Sequence, residues 1–154
     1  MIINNKLDKA FGPVGTISGV ILFFVGLGIT IAWLSFTGLI LFLIGAFVGF
    51  TSTSALIDFD KKRVKFSNNL MGIIQYGQWV DIEPDMKLGV KKSILNWRTY
   101  SRGNRTFDID NTDFRVILYD SDYKEMMPVM KTSTLDDAKD EAEKICNQLG
   151  LSMI

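Results

Sequence analysis

From Ala10 to Ile57 the chain carries no charged side chain, and this apolar run dips only once, at Ser35-Phe36-Thr37-Gly38. A helix rises about 1.5 Å per residue, so about 20 apolar residues cross a hydrocarbon core of about 30 Å. Val14 to Leu34 meets that length, and Phe36 to Leu56 is long enough for a second pass. The pattern predicts a hairpin of two membrane helices over residues 13–54, preceded by a short N-terminal segment, 1–12. Gly12-Pro13 suits the first turn of a helix, where the missing proline N–H costs nothing. Thr51-Ser52-Thr53-Ser54 predicts a wet end to the second helix, its hydroxyls bonding back to nearby carbonyls. Between Thr51 and Ile57 the pattern fits helix, linker or the first strand.

Beyond Asp58 the pattern changes to short alternating segments, which predict about six or seven strands. Ala55–Phe59 and Arg63–Phe66 flank Asp60-Lys61-Lys62 as a tight hairpin, with Asn68-Asn69 breaking the second strand. Met71–Tyr76 and Trp79–Ile82 come next with an irregularity at Gly77, then Met86–Ile94, a weaker Thr106–Ile109, and Phe114–Tyr119 paired with Glu125–Met130 across Asp120-Ser121-Asp122. A helix closes the chain. Ser133 or Thr134 can cap it, Asp136 and Asp137 favour its positive end, and Gly150 can end it in a left-handed conformation. Leu135, Ala138, Ala142, Ile145 and Leu149 recur at steps of three and four, which gives one core-facing stripe. Strands first and one amphipathic helix last predicts an antiparallel α+β or capped-barrel plan for residues 55–154.

Charge changes this picture by giving it a direction. Lys6 and Lys9 precede the first helix and Lys61, Lys62, Arg63 and Lys65 follow the second, while the connecting turn has no charge. Lysine and arginine are retained on the cytoplasmic side, so both termini are expected there in a multi-pass protein. A cleaved signal peptide competes for the first segment, but no small-x-small cleavage site follows it. Small residues at four-residue spacing, Gly15 with Gly19, Gly45 with Gly49 and Gly26 with Thr30, permit close helix contact, within the hairpin or against a partner's helix. Neither helix contains an ionisable group, which argues against an ion path or proton relay in the hairpin.

The run Ala55-Leu56-Ile57-Asp58-Phe59-Asp60-Lys61-Lys62-Arg63-Val64, then Gly72-Ile73, Gly77-Gln78-Trp79 before Ile82-Glu83, the Phe114-Arg115-Val116 strand and the alanine-bearing last helix resemble the bacterial PH-like domains fused to paired membrane helices. The resemblance implies a strongly bent, seven-stranded sheet or partial barrel capped by the C-terminal helix. It also implies binding of lipids, peptides or proteins in preference to catalysis, and residence in the bacterial inner membrane.

Candidate chemistry adds little to that expectation. The chain has no histidine and one cysteine, Cys146, so thiolate–histidine catalysis, histidine metal sites and an internal disulfide are excluded by inventory. Cys146 lies beside the apolar stripe and is expected to be buried. Asp108, Asp110 and Asp113 resemble the opening of a calcium loop, but Asp113 stands where glycine is needed and Tyr119 where a bidentate Glu is, so they predict an acidic turn. Two basic clusters remain. Lys61, Lys62 and Arg63 lie on the first hairpin. Lys87, Lys91, Lys92, Arg98, Arg102 and Arg105 are interleaved with Trp97 and Tyr100, and predict a membrane-hugging loop at Ile94 to Arg105. Plain positive-inside retention and a solvated strand face are the competing accounts. Zero net charge argues against nucleic acid as the partner. The expectation is a non-enzymatic accessory or scaffolding subunit, with no cofactor and no metal, that binds membrane lipids and another membrane protein or a second copy of itself. The alternative is a sensor of anionic lipid head groups through Lys61, Lys62, Arg63, Lys91, Lys92, Trp97, Arg98, Arg102 and Arg105.

Overall fold

The computed structural model describes residues 1–100 and 106–154, and side-chain surroundings for 1–94 and 112–154. The chain is α+β, with apolar helices early, sheets after them and a helix near the end. Its elements run β1 (Ile2–Lys9), α1 (Gly12–Trp33), α2 (Phe36–Phe50), β2 (Ser52–Asp58), β3 (Arg63–Leu70), β4 (Ile74–Tyr76), β5 (Trp79–Asp81), β6 (Lys87–Tyr100), β7 (Thr106–Tyr119), β8 (Glu125–Thr132), α3 (Leu135–Leu149) and β9 (Ser152–Met153). Among the described residues the strands form a five-stranded sheet, β1-β2-β3-β4 with β5 also on β3, and a four-stranded sheet, β8-β7-β6-β9. No closed barrel forms among them. Contacts divide the chain into two compact units, neither of them contiguous. One comprises Met1–Asn5, Ala55–Lys65 and Trp79–Ile154, the other Lys6–Ser54 and Phe66–Gln78.

The first unit holds a conventional core. Ile57 and Val64 from the five-stranded sheet meet Leu88, Val116, Leu118 and Val129 from the four-stranded one, and Ala142, Ile145, Cys146 and Leu149 of α3 close over them. Burying such a leucine or valine contributes about 1.5–3 kcal/mol. The helix signals act as predicted. Thr134 Oγ1 accepts from the Asp137 N–H at 3.2 Å, and Gly150, at φ 76°, donates its N–H to the Cys146 carbonyl at 2.8 Å. Leu135, expected in the stripe, stands exposed at the first turn.

The second unit is built on the antiparallel pair α1 and α2. Its glycines set the spacing: a Cβ on Gly19 would stand 2.4 Å from Gly49 N, one on Gly26 2.3 Å from Phe42 N, one on Gly45 2.3 Å from Phe23 N, and one on Gly38 2.6 Å from Thr30 N. Backbone therefore lies against backbone along the whole pair. The large side chains turn the other way, and Ile17, Ile21, Phe24, Ile31, Trp33, Phe36, Ile40, Leu43, Ile44 and Phe47 are all exposed.

Several expectations are corrected. The second helix ends at Phe50, not near Leu56, because Thr51 turns extended, at ψ 129°, and the chain enters β2. Thr51 Oγ1 does bond back to the Phe47 carbonyl, as expected of hydroxyls at this end. Among the described residues only α1 is long and apolar enough to cross a membrane by itself. Asn68-Asn69 do not break β3. Asn69 is buried and donates Nδ2–H to Ser54 Oγ at 3.0 Å, and a side chain satisfied in this way does not need to turn the chain. The expected loop at Ile94 to Arg105 is mostly ladder, paired from Ile94↔Thr112 to Tyr100↔Thr106. β-branched and aromatic residues such as Ile94, Thr99, Tyr100, Thr106 and Phe107 favour a pleated strand over the loop that the charges suggested. The same ladder makes Asp108, Asp110 and Asp113 strand residues by backbone, not a turn. β1 and β9 went unpredicted. β1 is a polar edge strand whose burial alternates about a single buried leucine, Leu7, and β9 is two residues long.

Candidate functional site

The candidate sites are surfaces. The first is the basic hairpin between β2 and β3. Asp58 is buried at its base and accepts the Lys61 N–H at 3.3 Å and Arg63 Nε–H at 3.1 Å. Arg63 also lies over the Trp79 ring, its guanidinium carbon 4.4 Å from the centroid. Arg63 is thus committed within the fold. Lys61 and Lys62 remain exposed, with Lys62 at the positive φ of 45° that the tight turn requires.

The second surface lies on the outer faces of β6, β7 and β8. A groove of about 320 Å³ is lined there by Lys91, Ser93, Arg115, Ile117, Glu125, Met126, Met127 and Pro128. Strand irregularity shapes it. Val116 pairs with Met130 but Ile117 with Pro128, and Leu118 pairs with Met127 but Tyr119 with Glu125. The ladder therefore skips Val129 and Met126, which bends β8 and aims sulfur-containing and proline side chains into one slot. Lys91 pairs with Glu125 at the rim, and the hydrogen bond followed by the charge of Glu125 raises the lysine pKa above its ordinary value. Burial alone would push the Asp113 carboxyl up. Hydrogen bonds from Arg115, at 2.9 Å, and Lys131, also at 2.9 Å, together outweigh it and hold the group below its ordinary value. The groove can receive an apolar side chain between opposite charges. Flexible methionine walls suit a protein surface better than one rigid substrate.

Of the predicted contact residues, Lys91 borders this groove and Lys92, the next residue on β6, is exposed. The side chains of Trp97 and Arg98, and all of Arg102 and Arg105, lie outside the described residues. Glycines Gly19, Gly45 and Gly49 are placed within the α1–α2 pair, whereas Gly15 faces its own Phe11. The sequence missed Arg115, Ile117, Met126, Met127 and Pro128 as a group. Its one usable signal was Pro128 inside an apolar run, which marks an edge strand or a bulge. Cys146 is buried, and burial raises its pKa, with Glu143 adding to the effect.

No protein-family model matches the chain, nor does any curated protein or solved structure.

Proposed function

We propose that this chain is a non-enzymatic, membrane-anchored protein of the bacterial inner membrane, whose PH-like unit binds a partner protein as an accessory or scaffolding subunit. The observation that carries the reading is the inverted α1–α2 pair, which hides its glycines and turns its isoleucines, leucines and aromatics outward. In water such a surface would exceed the few hundred square ångströms that soluble monomers expose. In lipid it is the expected arrangement, since helices there associate by close small-residue packing. The Ala10 N–H donates to the Thr51 carbonyl at 3.2 Å, so the entry to α1 lies beside the exit from α2. That supports a two-pass hairpin with both flanks on the side where Lys6, Lys9, Lys61 and Lys62 lie, the cytoplasmic one.

Binding in preference to catalysis is supported by the residues on hand: Asp113 is committed to two cations, the one thiol is held protonated by burial, and the groove is walled by methionines. The order of strands followed by a core-capping helix keeps the PH-like resemblance in play. Purification of the tagged full-length protein in mild detergent tests the reading. A second chain in fixed stoichiometry is the expected result. A lone chain would overturn it, and enriched anionic lipid in that eluate would turn the assignment to head-group recognition through Lys61 and Lys62.

A further inference from the structure

α2 spans only Phe36–Phe50, about 22 Å at 1.5 Å per residue, against a hydrocarbon core of about 30 Å. At its C-terminal end stands a second uncharged segment. From Phe66 to Gln78 there is no ionisable residue other than Tyr76, and the charged groups of this unit are Lys6, Asp8 and Lys9, all on β1. The turn between β3 and β4 is tied to the helix end. The Met71 N–H donates to Thr51 Oγ1 at 3.3 Å, and a Cβ on Gly72 would stand 3.7 Å from both the Phe50 Cβ and its carbonyl oxygen. Met71 and Gly72 both take positive φ, 53° and 71°, to make the turn. The residues just beyond are unusual for a strand in water: Ile73 is 84% exposed, Ile74 59% and Tyr76 69%. Soluble sheets protect such edges with charge, proline or a covering element, and β4 has neither charge nor proline.

We propose that the β3–β4 turn is a third membrane-contacting element, with Ile73, Ile74 and Tyr76 in the interfacial layer of the bilayer beside the end of α2. The proposal rests on the membrane-anchor reading above. The patch continues the apolar surface of the helix through Phe50, itself exposed, and a tyrosine ring favours that depth. Backbone accounting sets a limit to the depth. β4 pairs with β3 at Asn68↔Tyr76, Asn69↔Gln75 and Leu70↔Ile74, and Ile73 N–H reaches the Leu70 carbonyl at 3.1 Å. Polar groups on the other edge of a hairpin need water or head groups, so the turn stops at the interface and does not enter the hydrocarbon. The short helix and the apolar turn then have one explanation, an anchor completed by a sheet element.

The test uses the full-length chain with Cys146→Ala, reconstituted in vesicles of phosphatidylcholine and phosphatidylglycerol that carry spin-labelled lipid. An environment-sensitive fluorophore is attached at Ile73→Cys, with Tyr76→Cys as a second site, Phe24→Cys reporting on α1, and Tyr123→Cys on the β7–β8 turn. The expected result is blue-shifted emission and lipid quenching at positions 73, 76 and 24, with neither at 123. Quenching at 24 without quenching at 73 and 76 would overturn the proposal and leave the anchor standing. A blue shift at 73 and 76 without lipid quenching would also overturn it, since a protein then covers the turn. No quenching at any position would overturn the anchor reading, and this proposal with it.

Discussion

Asp113 lies on β7 with Arg115 two residues along on the same face, and Lys131 of β8 is the ladder partner of Arg115. A carboxylate buried between two cations is stable because it is charged, and this sets the sign of its pH dependence. Its pKa in the folded chain is depressed, so its contribution is present above the ordinary carboxylate range and is lost as pH falls through the depressed value. Asp113→Asn is expected to cost about 1–3 kcal/mol at neutral pH, because the amide removes the negative charge and turns one of the two acceptor oxygens into a donor facing Arg115 and Lys131. Urea unfolding at pH 7 and again near pH 3 should show that difference shrinking in acid; a constant difference would refute the charge argument. Cys146 gives the opposite kind of prediction. Its raised pKa and burial predict negligible labelling by iodoacetamide in the native protein at pH 7.5 and rapid labelling in denaturant. The burial of Cys146 was legible in the sequence because a helix period places it beside the stripe. The pairing of Asp113 was not, because its partners depend on strand register, and three nearby carboxylates suggest a turn until the ladder is known.

The helical pair is legible as apolar helices and, for most of its seam, as an interface. Four-residue spacing singles out Gly15 with Gly19, Gly45 with Gly49 and Gly26 with Thr30, and of these glycines all but Gly15 are buried between the helices; Gly12, Gly19 and Gly26 are the buried residues of α1, and Gly38 and Gly45 are among those of α2. Both sets step by seven, the spacing that keeps one stripe of a helix against its partner over several turns. That repeat was present in the sequence and is the signal that identifies the seam. Two substitutions separate seam from outer face. A methyl at Gly26 would press on the Phe42 backbone at 2.3 Å, whereas at Gly28 it meets nothing within 4 Å. Gly26→Ala should lose about 1–3 kcal/mol by overpacking, and Gly28→Ala should be neutral or gain up to about 1 kcal/mol from helix propensity. Unfolding in detergent micelles followed by circular dichroism distinguishes them, and equal effects would rule out the seam. The early end of α2 was legible only as a choice among helix, linker and strand. The choice depends on Thr51, whose hydroxyl serves both the Phe47 carbonyl and the Met71 N–H, a partner twenty residues away that no local pattern displays.

At the scale of the whole chain, the change from uncharged to ordinary composition at Asp58 falls one strand beyond the end of the apolar helices, and it does not mark the units. Phe66–Gln78 groups with the helices although the charged hairpin at Lys61–Arg63 precedes it, and the division between the units runs through β1, β2 and β3. The same non-contiguity bears on topology. β1 and β2 run antiparallel, with the Phe59 N–H on the Met1 carbonyl at 3.1 Å at one end and the Ala10 N–H on the Thr51 carbonyl at 3.2 Å at the other. Chain entering and leaving the helices is therefore held together, and the turn at Leu34, left-handed at φ 46° and 91% exposed, is the far end of the pair. On the proposed two-pass reading, α1 at about 33 Å would carry that turn across the hydrocarbon, while α2 at about 22 Å would return from it only with the bilayer thinned or its lower end completed by neighbouring apolar groups. A membrane-impermeant maleimide applied to intact cells should then label Leu34→Cys but not Tyr123→Cys, and permeabilised cells should yield both. Labelling at neither position before permeabilisation would instead make the pair re-entrant, with the turn stopping inside the bilayer and both helices reaching it from the cytoplasmic face.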